Sequence, residues 1–197
     1  AFQQYILGNI PVQTQWNYAT GAVLKKFNRN GVSMLVASRN MLNNRSYKYF
    51  NNDESNPDNL IFDYNSNEAE NKLRYEENFR LGGYKFNLGA NYEYARYTNS
   101  TTQFIPLGAE LEEVDYSSFV DLHKWGLFGQ VSKSYFNELL SLSFGFRADA
   151  NNYSSSMNNL LEQFSPRFSL SYTFAPGWSF NANTGIYYQL PAYTILG

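Results

Sequence analysis

His123 is the one histidine in 197 residues, and it follows Asp121 and the pair Ser117–Ser118 closely enough to invite an enzyme reading. Nucleophilic catalysis needs a base set against a nucleophile and oriented by a third group. Six positions of chain separate Ser117 from His123, and nothing in that spacing brings the two together. A membrane-embedded hydrolase centred on His123 is therefore the weakest of the available readings. With no Cys and one His, thiolate chemistry and a multi-His metal centre within this chain are excluded. No cofactor motif and no glycine-rich phosphate loop occurs.

A second set of charges falls in alternating polar runs: Arg74, Arg80, Arg147, Asp149 and Arg167. Arg presents a forked, permanently charged set of donors, suited to an anionic cargo or to a polar partner surface. The simpler reading of the same residues is a ladder of cross-strand ion pairs on a hydrated wall. Two further groups mix acids and aromatics: Asp53, Glu54, Asp58, Phe62, Asp63 and Tyr64, then Glu110, Glu112, Glu113, Asp115 and Tyr116. Tyr64 and Tyr116 are candidates for cargo contact, while the acids could gather a hard cation or simply solvate loops.

The elements that must position these residues are strands. Tyr84 to Tyr94 alternates apolar and polar residues almost without error. Successive strand side chains point to opposite faces, so one face is oily and the other wet. The same pattern predicts eight strands near 14–27, 32–49, 68–81, 84–97, 123–135, 139–150, 164–174 and 178–189. Glu77 falls on the oily face of the third, and Leu35 and Met41 oppose Val32, Met34 and Val36 in the second. Tight turns are expected at Asn28–Gly31, Gly82–Gly83, Phe136–Glu138 and Ala175–Gly177, with long connections across 51–67, 99–122 and 151–163.

The wet face is rich in Gly, Ser and Asn, and the other carries Phe, Tyr and Leu. That inverts a soluble barrel, whose apolar side is enclosed. An outward hydrophobic band around a hydrated lumen accounts for it, as does the alternation of short turns with long loops. The fold expected is all-β: an antiparallel up-and-down transmembrane β-barrel wall, in contact with outer-membrane lipid. The aromatics Phe27, Tyr84, Tyr135, Phe136, Phe174 and Trp178 crowd the tight-turn end, which is assigned to the periplasm. A soluble two-layer sheet is the alternative. The net charge of −2 argues against nucleic acid as a partner.

Four segments in order carry a family resemblance: Trp125-Gly-Leu-Phe-Gly-Gln130, Leu142-Ser-Phe-Gly-Phe-Arg-Ala-Asp149, Phe164-Ser-Pro-Arg-Phe-Ser-Leu-Ser-Tyr172 and Tyr187-Tyr-Gln-Leu-Pro191. Together with 10–16 and 38–44, they resemble the barrel of TonB-dependent outer-membrane receptors, notably the Bacteroidetes type. The resemblance implies about eight meandering strands of a larger, roughly 22-stranded barrel in the bacterial outer membrane. It also implies a plug domain, a TonB-type energy-transducing protein, and import of a scarce nutrient ligand such as a siderophore, vitamin, haem or glycan. On this reading Arg147 and Arg167 belong to recurring strand motifs and have structural roles. No plug, TonB box or leader is recognisable here, so an internal slice of the barrel is expected. A complete small barrel acting as adhesin, pore or anchor is the alternative.

Overall fold

A computed structural model describes residues 10–107 and 110–196. Eight antiparallel strands form one sheet in sequence order. They are β1 (Val12–Asn28), β2 (Gly31–Tyr49), β3 (Leu60–Leu81), β4 (Tyr84–Leu107), β5 (Glu110–Tyr135), β6 (Leu140–Asn151), β7 (Phe164–Ala175) and β8 (Trp178–Gly185). Each strand pairs only with its sequence neighbours, so β1 and β8 are edges among the described residues.

The alternation holds through the sheet. Phe79, Phe86, Val131, Phe144 and Phe168 stand directly opposite one another on one face, strand after strand. Phe79 and Phe86 stack at 5.0 Å and Phe144 meets Phe168 edge-on at 5.6 Å, the cross-strand contacts that stabilise a sheet. Among the described residues no second layer covers this face: Phe144 is 62% exposed and Trp178 68%. The eight strands form one sheet, not the two packed layers of the alternative reading.

The four tight turns fall where expected, but no residue of Asn28–Gly31 has a positive φ, so that turn does not use the conformational freedom of its Asn and Gly. Gly82, Gly83 and Gly177 adopt positive φ. In the β5–β6 turn three residues with side chains do the same, Phe136 (φ 55), Asn137 (φ 54) and Glu138 (φ 72). Glu77 does lie on the aromatic face, where it accepts a hydrogen bond of 2.8 Å from the Tyr75 hydroxyl.

Four strand limits differ markedly from the sequence reading. β3 begins at Leu60, not near 68; β4 runs to Leu107, not 97; β5 starts at Glu110, not 123. The expected long loop across 99–122 is mostly a ladder, with Thr98 facing Phe119 and Gln103 facing Val114. Thr, Asn and Ser occupy both faces there, so no period of two announces the strand, yet the backbone hydrogen bonds continue. Tyr64 and Tyr116 accordingly sit in strands rather than loops. β8 is shorter than expected, ending at Gly185 rather than 189. The connection across 151–163 is a loop with one turn of 3-10 helix, Ser156–Asn158.

Beyond β8 the chain crosses the polar face and finishes in a single helical turn, Tyr193–Leu196. Sequence reading gave no signal for this strap.

Candidate functional site

The polar face of β3 to β7 carries the candidate residues at fixed register. Arg74 lies opposite Asn91, which lies opposite Gly126, which lies opposite Asp149. Next to that row, Glu76, Gly89, Phe128, Arg147 and Ser165 face one another. Phe128 is an aromatic on the polar face. It is accommodated because Gly89 opposite has no side chain and the Arg74 guanidinium covers the ring at 4.3 Å.

Arg74 donates to Glu76 at 2.6 Å, and Glu76 also accepts from Asn78 at 2.8 Å and Asn87 at 2.6 Å. Arg147 donates to Asp149 at 2.5 Å. Arg167 has no carboxylate partner among the described residues, and its guanidinium lies 4.8 Å from the centre of the Tyr187 ring on the strap. Arg74, Arg147, Arg167 and Tyr187 enclose a cavity of about 500 Å³. A second cavity of about 440 Å³ adjoins it, bounded by Asn91, Lys124, Asp149 and Tyr188. The Asn91 side-chain oxygen is buried there without a hydrogen-bond partner.

Above these cavities the charges interlock. Lys72 pairs with Glu70 at 2.6 Å and Glu93 at 3.6 Å, and Lys124 pairs with Glu93 at 2.5 Å. The Tyr193 hydroxyl donates to Glu70 at 2.7 Å and lies 2.5 Å from Nζ of Lys124, pinning the strap.

The structure thus gathers Arg74, Arg147, Asp149 and Arg167 in one place. Arg80 stands apart, opposite Lys85 near the β3–β4 turn. Tyr64 and Tyr116 share the polar face further out, each opposite Thr101, with the Tyr64 hydroxyl 3.4 Å from that of Tyr97. Tyr187, Tyr188 and Tyr193 were not singled out as site residues in the sequence; the clustered Tyr of that segment was the available signal.

The His123 reading finds no support. His123 is in the body of β5 on the aromatic face, with the Tyr92 hydroxyl 2.7 Å from Nδ1 and the Tyr94 ring at 5.0 Å. Asp121 is engaged by Tyr94 at 2.9 Å and Arg96 at 3.2 Å. Ser117 is about 20 Å along the strand, and Ser118 is on the other face.

Neither acidic group converges. Glu112 lies on one face of β5 and Glu113 and Asp115 on the other, and Asp115 accepts from Thr102 at 2.6 Å. Asp53 accepts from the Ser55 hydroxyl at 2.6 Å and from its amide at 3.0 Å, and those bonds hold its carboxyl below the ordinary range. Asp63 pairs with Arg45 at 2.7 Å. No cluster able to hold a metal occurs among the described residues.

The family described as "TonB dependent receptor-like, beta-barrel" matches residues 4–197. Among solved structures, the copper transporter OprC superposes with TM-score 0.69 at 12% identity, over 94% of this chain and 32% of that one. The unliganded ferric citrate transporter FecA gives 0.48 at 14% identity, over 87% and 27%. No curated protein sequence matches. The chain therefore spans between a quarter and a third of the length of these two transporters. A long antiparallel meander, bare aromatics on one side and a charged, cavity-bearing wall on the other are what such a barrel requires, and the chain belongs to the TonB-dependent receptor β-barrel family.

Proposed function

We propose that these strands are wall segments of an energised receptor in the bacterial outer membrane, of the Bacteroidetes type, which binds and imports a scarce nutrient. The polar face is the lumen wall and the aromatic face meets lipid. The work is binding and translocation without covalent chemistry, driven by a TonB-type protein acting through a plug domain. The cargo is a siderophore, vitamin, haem or glycan carrying an anionic group.

Arg167 carries this reading. Within the cavity it is a cation without a carboxylate of its own, beside Arg147 and under the Tyr187 ring. A forked donor beside an aromatic plane suits an anionic, partly planar cargo. The buried Asn91 oxygen, on the second cavity that Arg167 also lines, offers an acceptor to a cargo hydroxyl or amide. The complete-small-barrel alternative needs β8 to pair with β1, and in the described sheet both are edges.

The test is deletion of the full-length gene, with growth measured while candidate nutrients are limiting one at a time. A defect on one cargo, restored by the intact gene and not by an Arg167→Ala copy, is the expected result. Normal growth of the deletion strain under every limitation would overturn the reading.

A further inference from the structure

We propose that the aromatic face holds a binding site for a phosphate-bearing lipid at Arg39, a proposal that rests on the outer-membrane reading above. Arg39 follows the turn residue Asn30 by nine positions in β2. At the usual rise and tilt it stands about 23 Å up the wall, where the apolar band of such a barrel gives way to headgroups.

Its Nε donates to the Tyr18 hydroxyl at 2.8 Å and its Nη1 to Asn71 Oδ1 at 2.7 Å. Both acceptors are neutral, and no carboxylate pairs with Arg39 among the described residues. Two neighbouring outward arginines differ: Arg45 has Asp63 and Arg96 has Asp121. The carboxylates of the adjoining strands, Glu70 and Glu93, belong to the polar face and are held by Lys72 and Lys124. Three guanidinium N–H groups are left, fixed in direction by the two bonds already made.

Beside this cation the wall is hollowed. Ala22 and Ala37 face each other directly, and their small side chains leave a groove of about 640 Å³. Leu73, Tyr92 and Tyr94 form its far side. The groove has the width and apolarity for an acyl chain, with a charged fork at its lip where a headgroup phosphate would lie. Arg binds phosphate through two parallel N–H bonds, and interfacial basic residues recruit anionic headgroups. A free anion would use the fork and leave the groove bare, so the occupant is the lipid.

The full-length receptor, purified in mild detergent, is titrated with three probes and read by native mass spectrometry. The probes are a phosphorylated outer-leaflet glycolipid, its dephosphorylated form with the same chains, and inorganic phosphate. Wild type is expected to retain the phosphorylated lipid at least tenfold better than the dephosphorylated one. Arg39→Gln should remove that preference, and Ala37→Leu, which fills the groove, should weaken both lipids. Equal retention of both lipids by wild type, an unchanged preference in Arg39→Gln, or binding of inorganic phosphate as tight as that of the lipid would each overturn the site. Heat-modifiable migration of the same samples reports the barrel separately: its loss in wild type would sink the membrane reading itself, whereas folded protein without lipid preference sinks only this proposal.

Discussion

The Tyr193 hydroxyl donates to Glu70 at 2.7 Å across 123 residues of chain, and this bond ties the strap after β8 to the third strand. The same oxygen lies 2.5 Å from Nζ of Lys124. Hydrogen bonds to charged groups contribute about 1.5–3 kcal/mol each. Tyr193→Phe keeps the ring and removes the anchor. Amide exchange across 186–196 should then quicken by about tenfold or more, while strand amides in β3 and β4 keep their protection. Unchanged exchange would mean that packing of the ring alone holds the strap.

Adjacent positions in β6 should respond oppositely to the same charge. Phe144 lies on the aromatic face and Ser143 on the polar one. An Arg facing lipid at mid-depth costs about 2–4 kcal/mol. Phe144→Arg is expected to lower folding stability in lipid vesicles by that amount, and Ser143→Arg by far less. Equal losses would contradict the assignment of faces.

The β5–β6 turn holds stored strain. Glu138 has φ 72, a left-handed conformation that costs a residue with a side chain about 1–2 kcal/mol. Glu138→Gly should stabilise the barrel by about 1 kcal/mol in urea titrations in vesicles, without altering cargo binding.

Asp53 supplies a pH signature outside the membrane. The Ser55 hydroxyl and amide hold its carboxyl below the ordinary range. A depressed folded value means that the contribution to loop order is complete above the unfolded carboxyl value, about 4, and fades as pH falls through the folded one. The Asp53 carboxyl carbon resonance should therefore titrate below those of unbonded Asp residues, and Ser55→Ala should move the midpoint up. A midpoint at the unperturbed value in the unmodified chain would show that the Ser55 bonds do not form.

How far the sequence reaches depends on whether a residue falls within the apolar band of the aromatic face. From Leu140 to Phe174 every outward position must be apolar, so parity alone placed Phe144, Phe168 and, on the opposite side, Arg147 and Arg167. Past that band the demand lapses. Thr98 to Gln103 and Ser117–Ser118 are polar on both faces, and their strands were invisible although their ladder is unbroken. Tyr64 and Tyr116 were recognisable by residue type and misplaced into loops for the same reason. The strap lacks any period, so its docking onto β3 and β5 became visible only through the contacts of Tyr193, 69 and 123 residues apart.

The outermost strands carry a consequence for handling the molecule. All 17 residues of β1 and all 8 of β8 are exposed, and each has one side without a paired strand among the described residues. Expressed as an isolated sheet, the protein would offer two mutually compatible templates, and successive copies could add end to end into filaments. In the complete barrel proposed above, neighbouring strands would occupy both edges, and work in solution is best carried out on that form.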